Sequence, residues 1–194
     1  MTETPETPTE RSVTIVFGDI AASSSMTAHF GDLAVATALR SFFVRLQELQ
    51  GAYRGEFVKS LGDGFLMVFA DTVDAVAFAV AIQESLIRQP IRVSESDATV
   101  SQPHELRLRI GIHEGKVFLT DTVYGREILG TPVNLAARLT ANAKAGGIVL
   151  SQIVAAGLTN EQRTKLRPKD AFVDIKNLGT LQVSVIDVLD EAAS

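Results

Sequence analysis

A β-branched run from Val13 to Phe17, a long helical stretch, and a glycine-flanked turn at Gly62-Asp63-Gly64 follow one another, leaving few ways to fold. The run is apolar, as a buried strand requires. From about Ser24 to Gln50 the apolar residues Met26, Phe30, Leu33, Leu39, Phe42, Phe43, Leu46 and Leu49 keep mostly three- and four-residue spacing. Gly31-Asp32 interrupts the stretch, with Asp32 capping its longer second part. The turn separates Glu56–Leu61 from Phe65–Phe69 and reads as a tight hairpin. A right-handed strand–helix–strand unit makes the first two strands parallel, so Asp19 and Asp63, each placed where a strand stops, emerge side by side. Taken singly, Asp63 is an ordinary turn residue and Asp19 an ordinary helix cap. Two bare carboxylates that close repel unless a cation joins them. Oxygen ligands of this kind favour magnesium or manganese, shared with substrate phosphates.

The rest of the chain extends this beginning. Asp71 caps a helix carrying Val73, Val76, Ala77 and Val80, and the polar, Pro-flanked residues 89–102 read as a variable loop. Leu106, Leu108, Ile110 and Ile112 alternate with Arg107, Arg109 and Gly111, marking a half-exposed strand that Gly115 turns into Lys116–Leu119. Gly130-Thr131-Pro132 opens a helix with Thr131 as cap and Pro132 as first helical residue, ending near Gly146-Gly147. Strands at 148–150, 172–175 and 182–188 complete the sheet. The order β-α-β-β-α-β with additions predicts an α+β, ferredoxin-like split βαβ core with extra strands. That architecture hosts many functions and decides none. One domain, residues 12–190, is expected after a Thr-, Glu- and Pro-rich tail, residues 1–11, expected to be disordered.

Composition narrows the chemistry. The chain has no cysteine, which removes disulfides, zinc thiolates and thiol catalysis. His29, His104 and His113 are too scattered for a histidine metal cluster. The formal net charge of −5 carries no basic block, against a nucleic-acid footprint. No run of about 18 uncharged apolar residues offers a membrane span. Together these favour the cytoplasm. Carboxylates, lysine, arginine and asparagine are left to do the work.

Asn134 and Arg138 lie four apart on the helix opened by Thr131 and so share a face. The plain reading is a solvated pair, but the intervening Leu135, Ala136 and Ala137 let the helix pack closely. An arginine there can stabilise charge on a phosphoryl group in flight, and an asparagine can hold a sugar oxygen. Lys59 shares strand parity with Phe57 and Leu61, and a lysine on an apolar face needs an acceptor or must snorkel to water. Glu127 is the other polar candidate there, with a plain surface loop carboxylate as the alternative.

With these residues assembled, the chain resembles the catalytic domain of class III nucleotidyl cyclases, over roughly Ser12 to Leu189. The anchors are Val13–Ile20, Phe57–Gly64, Arg109–Gly115 and Thr131–Leu139, four blocks in order. The resemblance implies that Asp19 and Asp63, with Ile20, hold two divalent metal ions, magnesium or manganese. It implies that Lys59 and Glu127 read the base, that Asn134 orients the ribose and that Arg138 stabilises the transition state. Lys176 would reach the outer phosphates, although Asn177 stands where the family usually has glycine. Ala22 likewise stands where a glycine is common, a change alanine tolerates unless the position needs positive φ. In this family, one domain supplies the aspartates and its partner supplies the base readers, Asn and Arg. A symmetric homodimer with two identical sites is therefore implied.

An acid at the Lys59 position would mark a guanylate cyclase, so the lysine argues against guanine. Lys59 as donor and Glu127 as acceptor suit adenine, cytosine or uracil. Glutamate reaches one methylene further than aspartate, which favours a smaller pyrimidine ring; Tyr53 by strand parity would narrow the pocket further, although a plain core or edge tyrosine is the preferred reading. The chain is expected to begin at its own Met with no receptor, membrane or sensor domain attached. In that respect it looks like the freestanding pyrimidine cyclases of the bacterial Pycsar antiphage system, whose cyclic UMP or cyclic CMP activates a separate effector protein. The expected reaction is UTP or CTP to the 3′,5′-cyclic monophosphate, with an adenylate cyclase as the first alternative and a degenerate nucleotide-binding regulator as the second.

Overall fold

The computed structural model describes residues 8–94, 104–123 and 125–188. The chain opens with β1 (Thr9–Ile20), α1 (Ser23–Phe30) and α2 (Asp32–Ala52), followed by the hairpin β2 (Glu56–Leu61) and β3 (Gly64–Phe69). Next come α3 (Thr72–Arg88), the short strands β4 (Arg92–Val93) and β5 (His104–Glu105), then β6 (Leu108–Thr122) and β7 (Gly125–Leu129). The last part holds α4 (Thr131–Ala141), β8 (Gly147–Ser151), α5 (Gln152–Ala156), α6 (Asn160–Leu166), β9 (Lys169–Ile175) and β10 (Gly179–Asp187). The main sheet runs β2-β3-β1-β6-β8-β10-β9, with β7 added on β6. This is the α+β architecture expected.

Strand alternation sorts the core onto two faces. On one face Val16, Ile20, Phe65, Met67, Ile110 and Ile112 pack against Phe42 and Leu46 of α2, Phe78 and Ile82 of α3, and Val154 of α5. On the other, Val13, Ile15, Leu66, Val68, Val117, Leu119 and Ile128 meet Ala136 of α4. Further along α4, Leu139 packs with Val149, Ile175 and Val183. All six residues of β3 are buried, as a strand covered on both faces must be. Asp71 caps α3 as read, its carboxylate accepting from the Asp74 amide.

The structure corrects several expectations. β1 and β2 are parallel, but β3 lies between them, antiparallel to both. β1 begins at Thr9, inside the segment assigned to the tail, because residues 9–12 pair with 116–119 of β6. Gly115 turns nothing: β6 runs through it. A Cβ at Gly115 would stand 2.5 Å from Pro132 Cγ, so the glycine makes room for the start of α4. Thr131 is the first residue of α4 rather than its cap, since Gly130, with φ 150, takes that position, and the helix stops at Ala141. Residues 95–102 of the expected loop and 189–190 of the expected domain lie outside the described residues.

Candidate active site

The two aspartates reach one edge by a different route from the expected crossover. Asp19 pairs in register with Gly64, the residue after Asp63, so the β2–β3 turn sits beside the end of β1. Gly64 permits this approach: a Cβ there would lie 2.7 Å from the Gly18 carbonyl oxygen. Gly62, at φ 73, supplies the left-handed residue that the turn needs. Asp63 is half-buried, with no hydrogen bond or ion pair to another described residue.

Asp19 has a partner that sequence reasoning missed. Arg109 lies opposite it on β6, and its Nε and Nη2 donate to the two carboxylate oxygens, each at 2.8 Å. Arg109 was visible only as the polar half of an alternating strand. The register with Asp19 is a non-local fact. Each carboxylate oxygen keeps a second lone pair, so the guanidinium leaves room for a cation.

The donor set fits a hard divalent ion. It consists of two carboxylates on neighbouring strand ends and, at Ile20, only a main-chain carbonyl to offer, since the side chain is apolar. Among the described residues no three acidic, histidine or cysteine side chains converge. The remaining ligands would be water and substrate oxygens, as magnesium prefers.

Lys59 and Glu127 meet directly, Nζ to Oε2 at 2.5 Å. The parity argument placed Lys59 with Phe57, and a bulge overturns it. Pairing shifts between Phe57 and Lys59, so Phe57 opposes Met67 while Lys59 opposes Leu66. Val58 is the extra residue, and Lys59 joins the face on which Leu66 packs. Tyr53 stays behind: it ends α2 and packs edge-on to Phe78, at 6.2 Å, in the opposite core. This is the plain core tyrosine of the preferred reading. Glu127 belongs to a strand, β7, rather than to a loop.

Asn134 and Arg138 project from α4, Asn134 exposed and Arg138 half-buried. Arg138 Nη1 donates to the Lys176 carbonyl, so α4 touches the β9–β10 turn there. Asn177 in that turn has φ 65, which explains an asparagine where glycine is usual, because Asn tolerates the left-handed region best among side-chain-bearing residues. Ala22 also sits left-handed, at φ 60 and ψ 27, so this position does need positive φ and alanine carries the strain. Close by on the α4 face, His113 Nδ1 and Ser151 Oγ are 2.9 Å apart. Burial pushes the His113 imidazole below its ordinary pKa, with Glu114 opposing the shift.

The expected site residues therefore fall into two sets. Among the described residues no hydrogen bond or ion pair links Asp19 or Asp63 to Lys59, Glu127, Asn134, Arg138 or Lys176.

A family model described as the adenylate and guanylate cyclase catalytic domain matches residues 6–184. The chain belongs to this family. The cyclase domain is 33% identical over 106 residues, 55% of its length, to a Rhizobium meliloti (strain 1021) protein named "Putative adenylate cyclase 3", of which it covers 16%. It is similar in fold to the catalytic core of a rhodopsin-guanylyl cyclase with converted specificity in complex with ATPαS (TM-score 0.78, 22% identity, 93% of this chain and 98% of that one). It is also similar to the adenylyl cyclase CyaB from P. aeruginosa (TM-score 0.76, 20% identity, 94% and 97% covered). The chain spans less than one fifth of the length of the curated relatives it matches. Among the described residues no helix is long and apolar enough to cross a membrane.

Proposed function

We propose that two copies of this cyclase domain build two identical sites that convert a nucleoside triphosphate to its 3′,5′-cyclic monophosphate and pyrophosphate, preferring a pyrimidine base. The ribose 3′ oxygen attacks the α-phosphorus as its proton passes to solvent water, the bond from the α-phosphorus to the bridging oxygen breaks, and pyrophosphate departs. Divalent ions, when bound, activate the attacking oxygen and neutralise phosphate charge. Asp19, Asp63 and the Ile20 carbonyl of one copy would hold them.

The partner copy supplies the remaining groups. Lys59 donates to the base and Glu127 accepts from it. Asn134 holds the ribose, and Arg138 turns its planar fork from the Lys176 carbonyl to the charge that develops on the phosphoryl group. The Lys176 side chain, exposed and without a described partner, is placed on the outer phosphates. We place the product as a cytoplasmic signal to a separate effector protein, in antiphage defence.

The observation that carries the base reading is the direct contact of Lys59 with Glu127, residues 68 apart in the chain. One donor and one acceptor then stand together, and glutamate extends one methylene further than aspartate would. The name of the Rhizobium meliloti relative favours a second reading, ATP as substrate, because adenine offers the same donor-and-acceptor edge.

The test is to incubate the purified chain with each of the four nucleoside triphosphates and Mn²⁺ and identify products by mass. Cyclic UMP or cyclic CMP as the main product supports the proposal, with Glu127→Asp raising relative use of ATP. Cyclic AMP as the main product would leave an adenylate cyclase, and no cyclic product from any nucleotide would leave a binding domain.

A further inference from the structure

The base-reading pair joins two strands that share no backbone ladder among the described residues. Among the described residues β7 pairs only with β6, and β2, at the sheet edge, only with β3. Side chains bring β7 against β2. Lys59 to Glu127 is one link; Glu56 on β2 to Arg126 on β7 is the other. Arg126 is held in turn by Asp121, Nε to Oδ1 at 2.9 Å and Nη2 to Oδ2 at 3.3 Å. Glu56 is held by Arg11 at 3.6 Å. Ile128, 5% exposed, fixes the depth of β7 in the core, but apolar contact sets no lateral register.

We propose that Arg126 is a positioning residue that sets base selectivity by clasping β7 to β2. The inference rests on the reading of Lys59 and Glu127 given above. When a base enters, donor and acceptor turn from each other to the nucleobase, and their link no longer holds the strands together. Glu56–Arg126 is then the remaining tie, and it decides where Glu127 stands. Arg126 suits the task because its planar fork engages Asp121 through two nitrogens while a third reaches Glu56. A lysine keeps the charge and loses the fork.

The experiment measures kcat/KM for all four nucleotides in this chain and in Arg126→Gln, Arg126→Lys, Glu56→Gln, the Glu56→Gln/Arg126→Gln double variant and Glu127→Ala. The clasp predicts that Arg126→Gln lowers the preference for the best base on the order of tenfold. Arg126→Lys recovers it in part, and the double variant is no worse than either single one. A role in folding alone would lower turnover of every nucleotide by the same factor, and that outcome overturns the proposal. If Glu127→Ala changes the preference while Arg126→Gln does not, the clasp is wrong and the base reading stands. If neither changes it, the base reading falls and the clasp falls with it.

Discussion

Gly111 is where the packing of α4 can be challenged most sharply. A Cβ built there would lie 2.3 Å from the Thr140 amide nitrogen and 2.4 Å from the Ala136 carbonyl oxygen. Both blocking atoms are backbone, and ordinary contact begins at 3.4 Å, so Gly111→Ala forces α4 off β6 by about 1 Å. The overpacking should cost roughly 3 kcal/mol, the top of the usual range, because no rotamer can relieve it. Thr140 also donates its hydroxyl to the Phe17 carbonyl, 2.9 Å away, and that bond would stretch. Asn134 and Arg138 ride on the same helix, and a misplacement of about 1 Å can cost on the order of a hundredfold in rate. Denaturant unfolding and single-nucleotide turnover measure the two effects. Gly51→Ala is the control, since nothing lies within 4 Å of its added Cβ, and it should stabilise slightly. A Gly111→Ala protein within about 0.5 kcal/mol of the parent and with full turnover would refute the claim that close backbone approach places α4.

Two further outcomes follow from backbone and burial. Ala22→Gly should relieve about 1–2 kcal/mol of left-handed strain, less roughly 0.4–1 for the freer unfolded chain. A midpoint higher by ~1–3 °C in thermal melts is expected, and an unchanged or lower midpoint would contradict it. His113 has a lowered pKa in the fold, so below its unfolded value of about 6.5 the unfolded chain takes up a proton that the fold resists. Its contribution is complete above about pH 6.5 and is lost as pH falls toward the folded pKa. His113→Gln should flatten the stability profile below about pH 6.5, and a slope unchanged from the parent would assign it elsewhere.

The residues show where sequence was informative. The β-branched run of Val13 to Phe17 and the Gly62-Asp63-Gly64 turn marked Asp19 and Asp63 as strand-end and turn residues, because strand ends and tight turns are local properties; the shared edge follows from the β1–β3 pairing and not from the crossover expected. That β3 rather than β2 adjoins β1 depends on pairing across the sheet, which no local signal encodes. Lys59 was assigned to the wrong face because one extra residue, Val58, inverts the parity, and bulges leave no reliable mark in sequence. β7 was missed because its five residues, Gly125–Leu129, read equally well as a loop. Gly115 looks like a turn former in sequence and Gly111 like a plain strand position, and only the position of α4 shows that both are clearances.

The division of the candidate site between two chains is tested most directly by complementation. Asp63→Ala and Arg138→Ala proteins should each be inactive alone. Asp63 is preferable to Asp19 because its removal orphans no guanidinium, whereas Asp19 is bound by Arg109. Mixed in equal amounts with subunit exchange verified, half the dimers are heterodimers with one intact site of two, so the account predicts about a quarter of parental activity. Activity remaining at zero after verified exchange would contradict it and place a complete site within each chain.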